Sequence, residues 1–181
     1  GQDTIRSYES NQNKRDVLRF KEGVAAADVS ARRSGRDLVL AVAGTADQVT
    51  IRDYFYDDGS FNAYGIESIE FADGTAWDYA AAKAKVLVGS AGDDTIEGFC
   101  SGEMLMGLGG DDRLFGMSGD DTLDAGAGND LVDGGSGNDT YLFGRGDGQD
   151  TISTDDLTIN KHDVLRFKEG LTGEGSACRG C

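Results

Sequence analysis

The chain has 181 residues, enough for one ordinary domain or two small units. Its 33 acidic against 17 basic residues give a net charge of −16, which argues against a nucleic-acid backbone or an anionic membrane surface as partner, because both call for clustered Lys and Arg. No run of about eighteen apolar residues exists, so nothing reads as a membrane span, and 28 Gly with no Pro point to many tight turns.

Residues 1–23, GQDTIRSYESNQNKRDVLRFKEG, return at 148–170 as GQDTISTDDLTINKHDVLRFKEG, at a constant offset of 147 with 15 of 23 identities. Long-period self-similarity of this kind marks a tandem array. The chain opens on Gly1 with no leader-like segment. It therefore reads as an excised piece of a longer protein, starting in the closing segment of one module and ending in that of the next.

Between these copies, alternation in residues 37–42 (DLVLAV), 48–55 (QVTIRDYF) and 66–71 (IESIEF) predicts three strands. Turn signals separate them at Gly44, at Asp57-Asp58-Gly59 and at Asp73-Gly74. Trp77 to Lys85, rich in Ala and Lys, predicts a short helix leading into Val86-Leu87-Val88. The aromatics Tyr54, Phe55, Tyr56, Phe61, Tyr64, Phe71 and Trp77 are expected to form a small core.

From Gly89 a nine-residue repeat takes over: GSAGDDTIE (89–97), GFCSGEMLM (98–106), GLGGDDRLF (107–115), GMSGDDTLD (116–124), AGAGNDLVD (125–133) and GGSGNDTYL (134–142). The sixth position reads Asp94, Glu103, Asp112, Asp121, Asp130, Asp139, and the eighth Ile96, Leu105, Leu114, Leu123, Val132, Tyr141. One apolar residue per nonad, with Gly between, is not a helical period. A three-residue strand with its middle side chain inward, followed by a six-residue Gly-rich turn, fits instead. Two units make one coil of a right-handed parallel solenoid with two narrow sheets. Such coils bury their faces only against neighbours. Residues 89–150 hold 14 acids against Arg113 and Arg145, so −12 of the charge is concentrated there and calls for counter-cations. Gly lets turn carbonyls curl inward while Asp adds a hard anionic oxygen. Oxygen-only coordination by flexible carbonyls suits Ca2+ over Mg2+, and zinc lacks His or Cys ligands there.

On these nonads the chain resembles the haemolysin-type calcium-binding (RTX) repeat proteins, whose unit is Gly-Gly-x-Gly-x-Asp-x-apolar-x. Phe143 to Ile152 resembles the irregular closing turn of such arrays, and residues 24–78 the β-rich module that often accompanies them. The resemblance implies an all-β chain: a right-handed parallel β-roll preceded by a small β-rich module with one short helix. It divides the chain into a cap of a preceding RTX module (1–23), a β-rich linker module (24–85), the β-roll (86–152), a C-terminal cap (153–170) and a disordered or foreign tail (171–181).

The resemblance also implies ligands. Each ion is held by carbonyls two and four with Asp six of one turn, and by carbonyls one and three with Asp six of the turn one coil on. Carried over, one site uses Ser90, Gly92 and Asp94 with Gly107, Gly109 and Asp112. A second uses Leu108, Gly110 and Asp112 with Ala125, Ala127 and Asp130. On the opposite edge Met117, Gly119 and Asp121 join Gly134, Ser136 and Asp139. The second nonad departs from the pattern with Phe99, Ser101, Gly102 and Glu103, which weakens a site shared with Gly116, Ser118 and Asp121. Asp147 and Asp150 are candidates to close a further site with Gly126, Gly128 and Asp130, and Asp3 is the counterpart of Asp150.

Ion binding is expected to drive folding, since the carboxylates repel one another without metal and each coil buries little apolar surface. At about 1 mM calcium, sites of about 10⁻⁴ M contribute ~1.4 kcal/mol each. The resemblance further implies secretion through type I machinery and an extracellular location. The function expected is a calcium-binding structural module. A stiff spacer or receptor-binding segment of a large adhesin or pore-forming toxin, meeting an extracellular receptor or glycan, is the alternative. A non-catalytic part of a secreted hydrolase or epimerase is the third.

Other motifs carry less. An EF-hand from Asp93 fails because its twelfth residue is Met104, and no Gly-x-Gly-x-x-Gly stretch opens a helix after a strand. His162 is the only histidine, and its counterpart is Arg15, so no catalytic role is expected. Arg145-Gly146-Asp147 reads as part of the closing turn rather than a cell-attachment signal, and the sequon at Asn138 overlaps a ligand turn. Cys100 and the terminal Cys178-x-x-Cys181 support neither a disulfide framework nor a zinc site.

Overall fold

A computed structural model describes residues 1–6, 15–56, 66–154 and 161–169. The expected turn at Asp57-Asp58-Gly59, the aromatics Phe61 and Tyr64, and the tail 171–181 with Cys178 and Cys181 lie outside the described residues.

Among its described residues the β-rich part holds seven short strands, a 3-10 turn at Ala26–Asp28 and one α-helix. The strands and α-helix are β1 (Gln2–Ile5), β2 (Val17–Arg19), β3 (Val29–Ser34), β4 (Asp37–Val42), β5 (Gln48–Ile51), β6 (Ser68–Glu70), β7 (Ala76–Trp77) and α1 (Tyr79–Val86). One sheet runs β1-β5-β4-β3 and a smaller one β2-β6-β7. Strands β3, β4 and β5 are antiparallel neighbours, whereas β1 lies parallel to β5 and β2 parallel to β6.

The predicted strand 37–42 matches β4, while the other two are shorter than their alternation suggested. β5 ends at Ile51 because the backbone turns at Asp53, a non-Gly residue with φ of 55°. The turn sends Tyr54 and Phe55 inward, each 1% exposed, and leaves Tyr56 outside, 45% exposed beneath the Arg36 guanidinium. Tyr56 therefore does not join the aromatic core expected of it. The helix starts at Tyr79 rather than Trp77, because Asp78 caps it by accepting the Ala81 N–H at 2.8 Å. Trp77 instead ends β7 and packs on Phe71, ring centroids 4.5 Å apart.

The remaining strands wind the solenoid: β8 (Thr95–Glu97), β9 (Met104–Met106), β10 (Arg113–Phe115), β11 (Thr122–Asp124), β12 (Leu131–Asp133), β13 (Thr140–Phe143), β14 (Thr151–Ser153) and β15 (Val164–Phe167). They sort into two all-parallel sheets, β14-β12-β10-β8 and β15-β13-β11-β9. The registers Thr95↔Arg113↔Leu131 and Met104↔Thr122↔Thr140 step by two nonads per coil. This is the parallel β-roll expected from the nine-residue period. The eighth-position side chains Ile96, Leu105, Leu114, Leu123, Val132 and Tyr141 are all buried, between 0% and 4% exposed.

The two parts share one continuous core. Phe99 joins them: it is 1% exposed, its ring is 5.2 Å from that of Phe55, and the cations of Arg33 and Lys83 lie 4.3 and 4.2 Å from its centroid. The second nonad carries Phe where the pattern asks for Gly because that turn is the seat of the β-rich module.

Candidate metal centre

Each strand of the roll is followed by a turn, and the turns stack 18 residues apart along both edges. At the sixth position the stacking is carried by the acids themselves. Asp94 N–H donates to Asp112 Oδ1 at 2.8 Å and Asp112 N–H to Asp130 Oδ1 at 2.8 Å. On the other edge Glu103 N–H donates to Asp121 Oδ1 at 2.7 Å and Asp121 N–H to Asp139 Oδ1 at 2.9 Å. One oxygen of each carboxylate is thereby fixed. The other is not: Asp112, Asp121, Asp130 and Asp139 are 0–2% exposed, and each buries an Oδ2 with no hydrogen-bond partner. A buried oxygen anion without a partner is costly.

Their titration reflects that cost. Burial pushes the Asp112 carboxyl up to about 6 and that of Asp121 up to about 7, against backbone N–H bonds that pull them down. Neighbouring carboxylates, Asp130 beside Asp112 and Glu103 beside Asp121, add to the rise. Asp139 and Asp150 are raised as well, again chiefly by burial.

The turn backbone itself takes up unusual conformations. Leu108 and Met117, at the second position, both have φ of 77°, a left-handed conformation that non-Gly residues adopt at a cost. At the fourth position, Gly128 has φ of 155°, and a methyl group there would collide with the Gly110 carbonyl oxygen one coil below. Second- and third-position carbonyls also accept one backbone hydrogen bond each: Ala127 N–H donates to Leu108 O at 3.1 Å, and Gly110 N–H to Ala127 O at 3.0 Å. A carbonyl has two lone pairs, so a second acceptor site remains on each.

The predicted ligand groups differ in how fully they assemble. Asp112 with Asp130, and Asp121 with Asp139, each pair two carboxylates with unpartnered Oδ2 atoms. The turn of Ser90, Gly92 and Asp94 is different, since neither Ser90 nor Gly92 has positive φ. There Asp94 Oδ2 accepts from Ser90 N–H at 2.6 Å and from its hydroxyl at 2.8 Å, closing its own turn. Glu103 is also engaged: Lys83 Nζ stands 3.0 Å away, Phe99 N–H donates at 3.1 Å, and the Ser101 hydroxyl donates as well. Asp147 stacks on the turn below through its backbone, its carbonyl accepting from Gly128 N–H at 2.8 Å, while its Oδ2 accepts from Gly144 N–H at 2.6 Å and from Lys168 Nζ at 2.8 Å. Asp150, not Asp147, continues the ladder, accepting from Asp130 N–H at 3.2 Å.

Two features lie outside the predicted ligand positions. Asp163 accepts Asp139 N–H at 3.0 Å and ends the second edge, with the Lys161 ammonium 3.2 Å from Asp163 Oδ2 and 3.7 Å from Asp139 Oδ2. The interval to Asp163 is 24 residues and not 18, so a fixed period misses it. Its signal is the position two before Leu165, the register partner of Tyr141, as Asp139 stands two before Tyr141. The fifth-position residues form a second, outer ladder: Asp111 N–H donates to Asp93 Oδ1 at 2.8 Å, Asn129 N–H to Asp111 Oδ1 at 2.9 Å, and Asn138 N–H to Asp120 Oδ1 at 2.8 Å. His162 lies at the end of that ladder, its N–H donating to Asn138 Oδ1 at 3.0 Å.

Comparison with known families matches this geometry. Residues 86–99 and 106–141 fit the RTX calcium-binding nonapeptide repeat (4 copies). This stretch is an RTX repeat array. Residues 37–81 of the β-rich module fit the haemolysin-type calcium binding protein related domain. The RTX repeats imply calcium binding.

A curated relative, "Iron-regulated protein FrpA" of Neisseria meningitidis serogroup C, is 37% identical over 107 residues, 59% of this chain. This chain spans 10% of that relative's length. Among solved structures, the AlgE6R3 subunit of the Azotobacter vinelandii mannuronan C5-epimerase is 36% identical, covering 44% of this chain and 47% of that one at a TM-score of 0.37. The extracellular lipase LipA from Serratia marcescens is 16% identical, covering 84% and 25% at a TM-score of 0.31. No helix among the described residues is long and apolar enough to cross a membrane.

Proposed function

We propose that this RTX chain is a structural module, without catalysis of its own, that folds when calcium ions enter the two turn edges. The observation carrying this reading is the set of buried Oδ2 atoms of Asp112, Asp121, Asp130 and Asp139 that accept no hydrogen bond, of which only that of Asp139 has a cation, Lys161, beside it. One ion is held by Leu108, Gly110 and Asp112 with Ala125, Ala127 and Asp130, and another by Met117, Gly119 and Asp121 with Gly134, Ser136 and Asp139. Asp94 with Asp112, and Asp130 with Asp150, give weaker positions, and Lys83 takes the place of a metal charge at Glu103.

Calcium near 1 mM outside a cell supplies the missing charge, whereas micromolar calcium inside leaves the carboxylates opposed. The chain therefore passes type I export machinery unfolded and folds outside. Within a longer protein it serves as a secreted calcium-stiffened unit. The repeat of residues 1–23 at 148–170 favours a tandem spacer, as in an adhesin or toxin, projecting a distant receptor- or glycan-binding part.

Circular dichroism with calcium titration tests the switch. A cooperative rise in β signal is expected with calcium and not with magnesium at equal concentration. A full β spectrum in chelator, unchanged by calcium, overturns the proposal.

A further inference from the structure

The repeated 23-residue segment occurs twice, in two surroundings. In the C-terminal copy, β14 and β15 form the last coil of the roll, paired with β12 and β13. In the N-terminal copy, the corresponding β1 and β2 pair with β5 and β6 of the β-rich module. The hydrogen bonds use opposite edges of the same coil. Thr151 and Val164 N–H groups donate toward the roll, to Asp130 O at 2.7 Å and Asp139 O at 2.8 Å. At the 147-residue offset, their neighbours face the module: Ile5 O accepts from Arg52 N–H at 2.9 Å, and Phe20 N–H donates to Glu70 O at 2.9 Å.

The side chains repeat the division. Ile5 and Leu18 lie beside Ile51 and Ile69, both 0% exposed, and Phe20 stacks on Phe71 with centroids 5.1 Å apart. Their counterparts Ile152, Leu165 and Phe167 are 37%, 48% and 59% exposed, around a cleft of about 350 Å³ at the roll's open end. Among the described residues no strand lies on the outer edge of β14 or β15.

From this we infer that the open face of the last coil is a docking surface for a β-rich module of the 24–77 kind, joined in tandem to such a coil where this chain carries residues 171–181. The segment is a two-sided splice. Its inner edge continues the roll, and its outer edge starts the next module's sheets through strands equivalent to β5 and β6. Ile152 and Leu165 then lie beside counterparts of Ile51 and Ile69, and Phe167 stacks on a counterpart of Phe71. The result is one continuous sheet system through roll, splice and module. This goes beyond the calcium reading and needs only that the last coil be folded.

The test compares this chain with one in which a second copy of residues 24–170 follows Gly170 directly, both in calcium. Amide exchange over residues 163–168 is read by mass spectrometry, and folding of the roll by circular dichroism on the same samples, so a failed calcium switch shows separately. Exchange at the Phe167 amide should slow at least tenfold in the extended chain, and Phe167→Ala should reverse that protection without altering the roll's spectrum. Equal exchange in the two chains overturns the inference. So does protection in the parent chain that grows with its concentration, because the occupant is then a second copy of the chain.

Discussion

Asp112 shows how a single side chain can be both a structural prop and a liability. Its Oδ1 holds the Asp94 N–H while its Oδ2 is buried without a partner. Asp112→Asn keeps the acceptor and removes the charge. In chelator the variant should therefore be more stable than the parent by about 1–2 kcal/mol, and in saturating calcium less stable by at least as much. Thermal melts under both conditions check the crossing; destabilisation in both would show that the carboxylate's charge has no opposing cost. Such roles were legible from sequence at the sixth position because each Asp recurs every nonad. The fate of the exceptions was not. Whether Asp94 closes its own turn onto Ser90, or Glu103 receives Lys83, depends on neighbours that no repeat specifies.

At the scale of elements, a coil's environment outweighs its sequence. Phe20 and Phe167 occupy the same place in two copies of one segment, one stacked on Phe71 and the other 59% exposed. Phe20→Ala should cost on the order of 2 kcal/mol, and Phe167→Ala less than about 0.5 kcal/mol. Equal losses in chemical denaturation of the two variants would contradict the placement. The strands of the roll were readable because one inward residue per nonad leaves a single solution. β1, β2 and β3 were not. The first two gain their pairing from residues some fifty positions later, and β3 is rich in Arg and Ser, forming against β4 across the turn at Gly35. β-propensity of this kind is decided by the partner strand more than by the segment.

For the molecule as a whole, the buried acids tie shape to protonation. The folded-state values of Asp112 and Asp121 lie near 6 and 7, above the ordinary carboxylate value of 3.8. A raised folded value contributes stability that is present below the ordinary value and lost as pH rises through the folded one. The ion-free chain should therefore gain β signal as pH falls from about 8 to about 5, while the calcium needed for half-folding rises because protons compete for the same oxygens. A chelated chain less ordered at the lower pH would contradict this.

The ammonium of Lys83, joined to the chain and held against Glu103 beneath the first coil, has a consequence for order in time. Unlike a dissolved ion, it cannot diffuse away, so the end of the roll nearest the helix keeps its counter-charge at any calcium level. Lys161 and Lys168 tether the far end in the same way, against Asp139, Asp163, Asp124 and Asp147, so chelation loosens the turns of Asp112 and Asp130 between the two stops first.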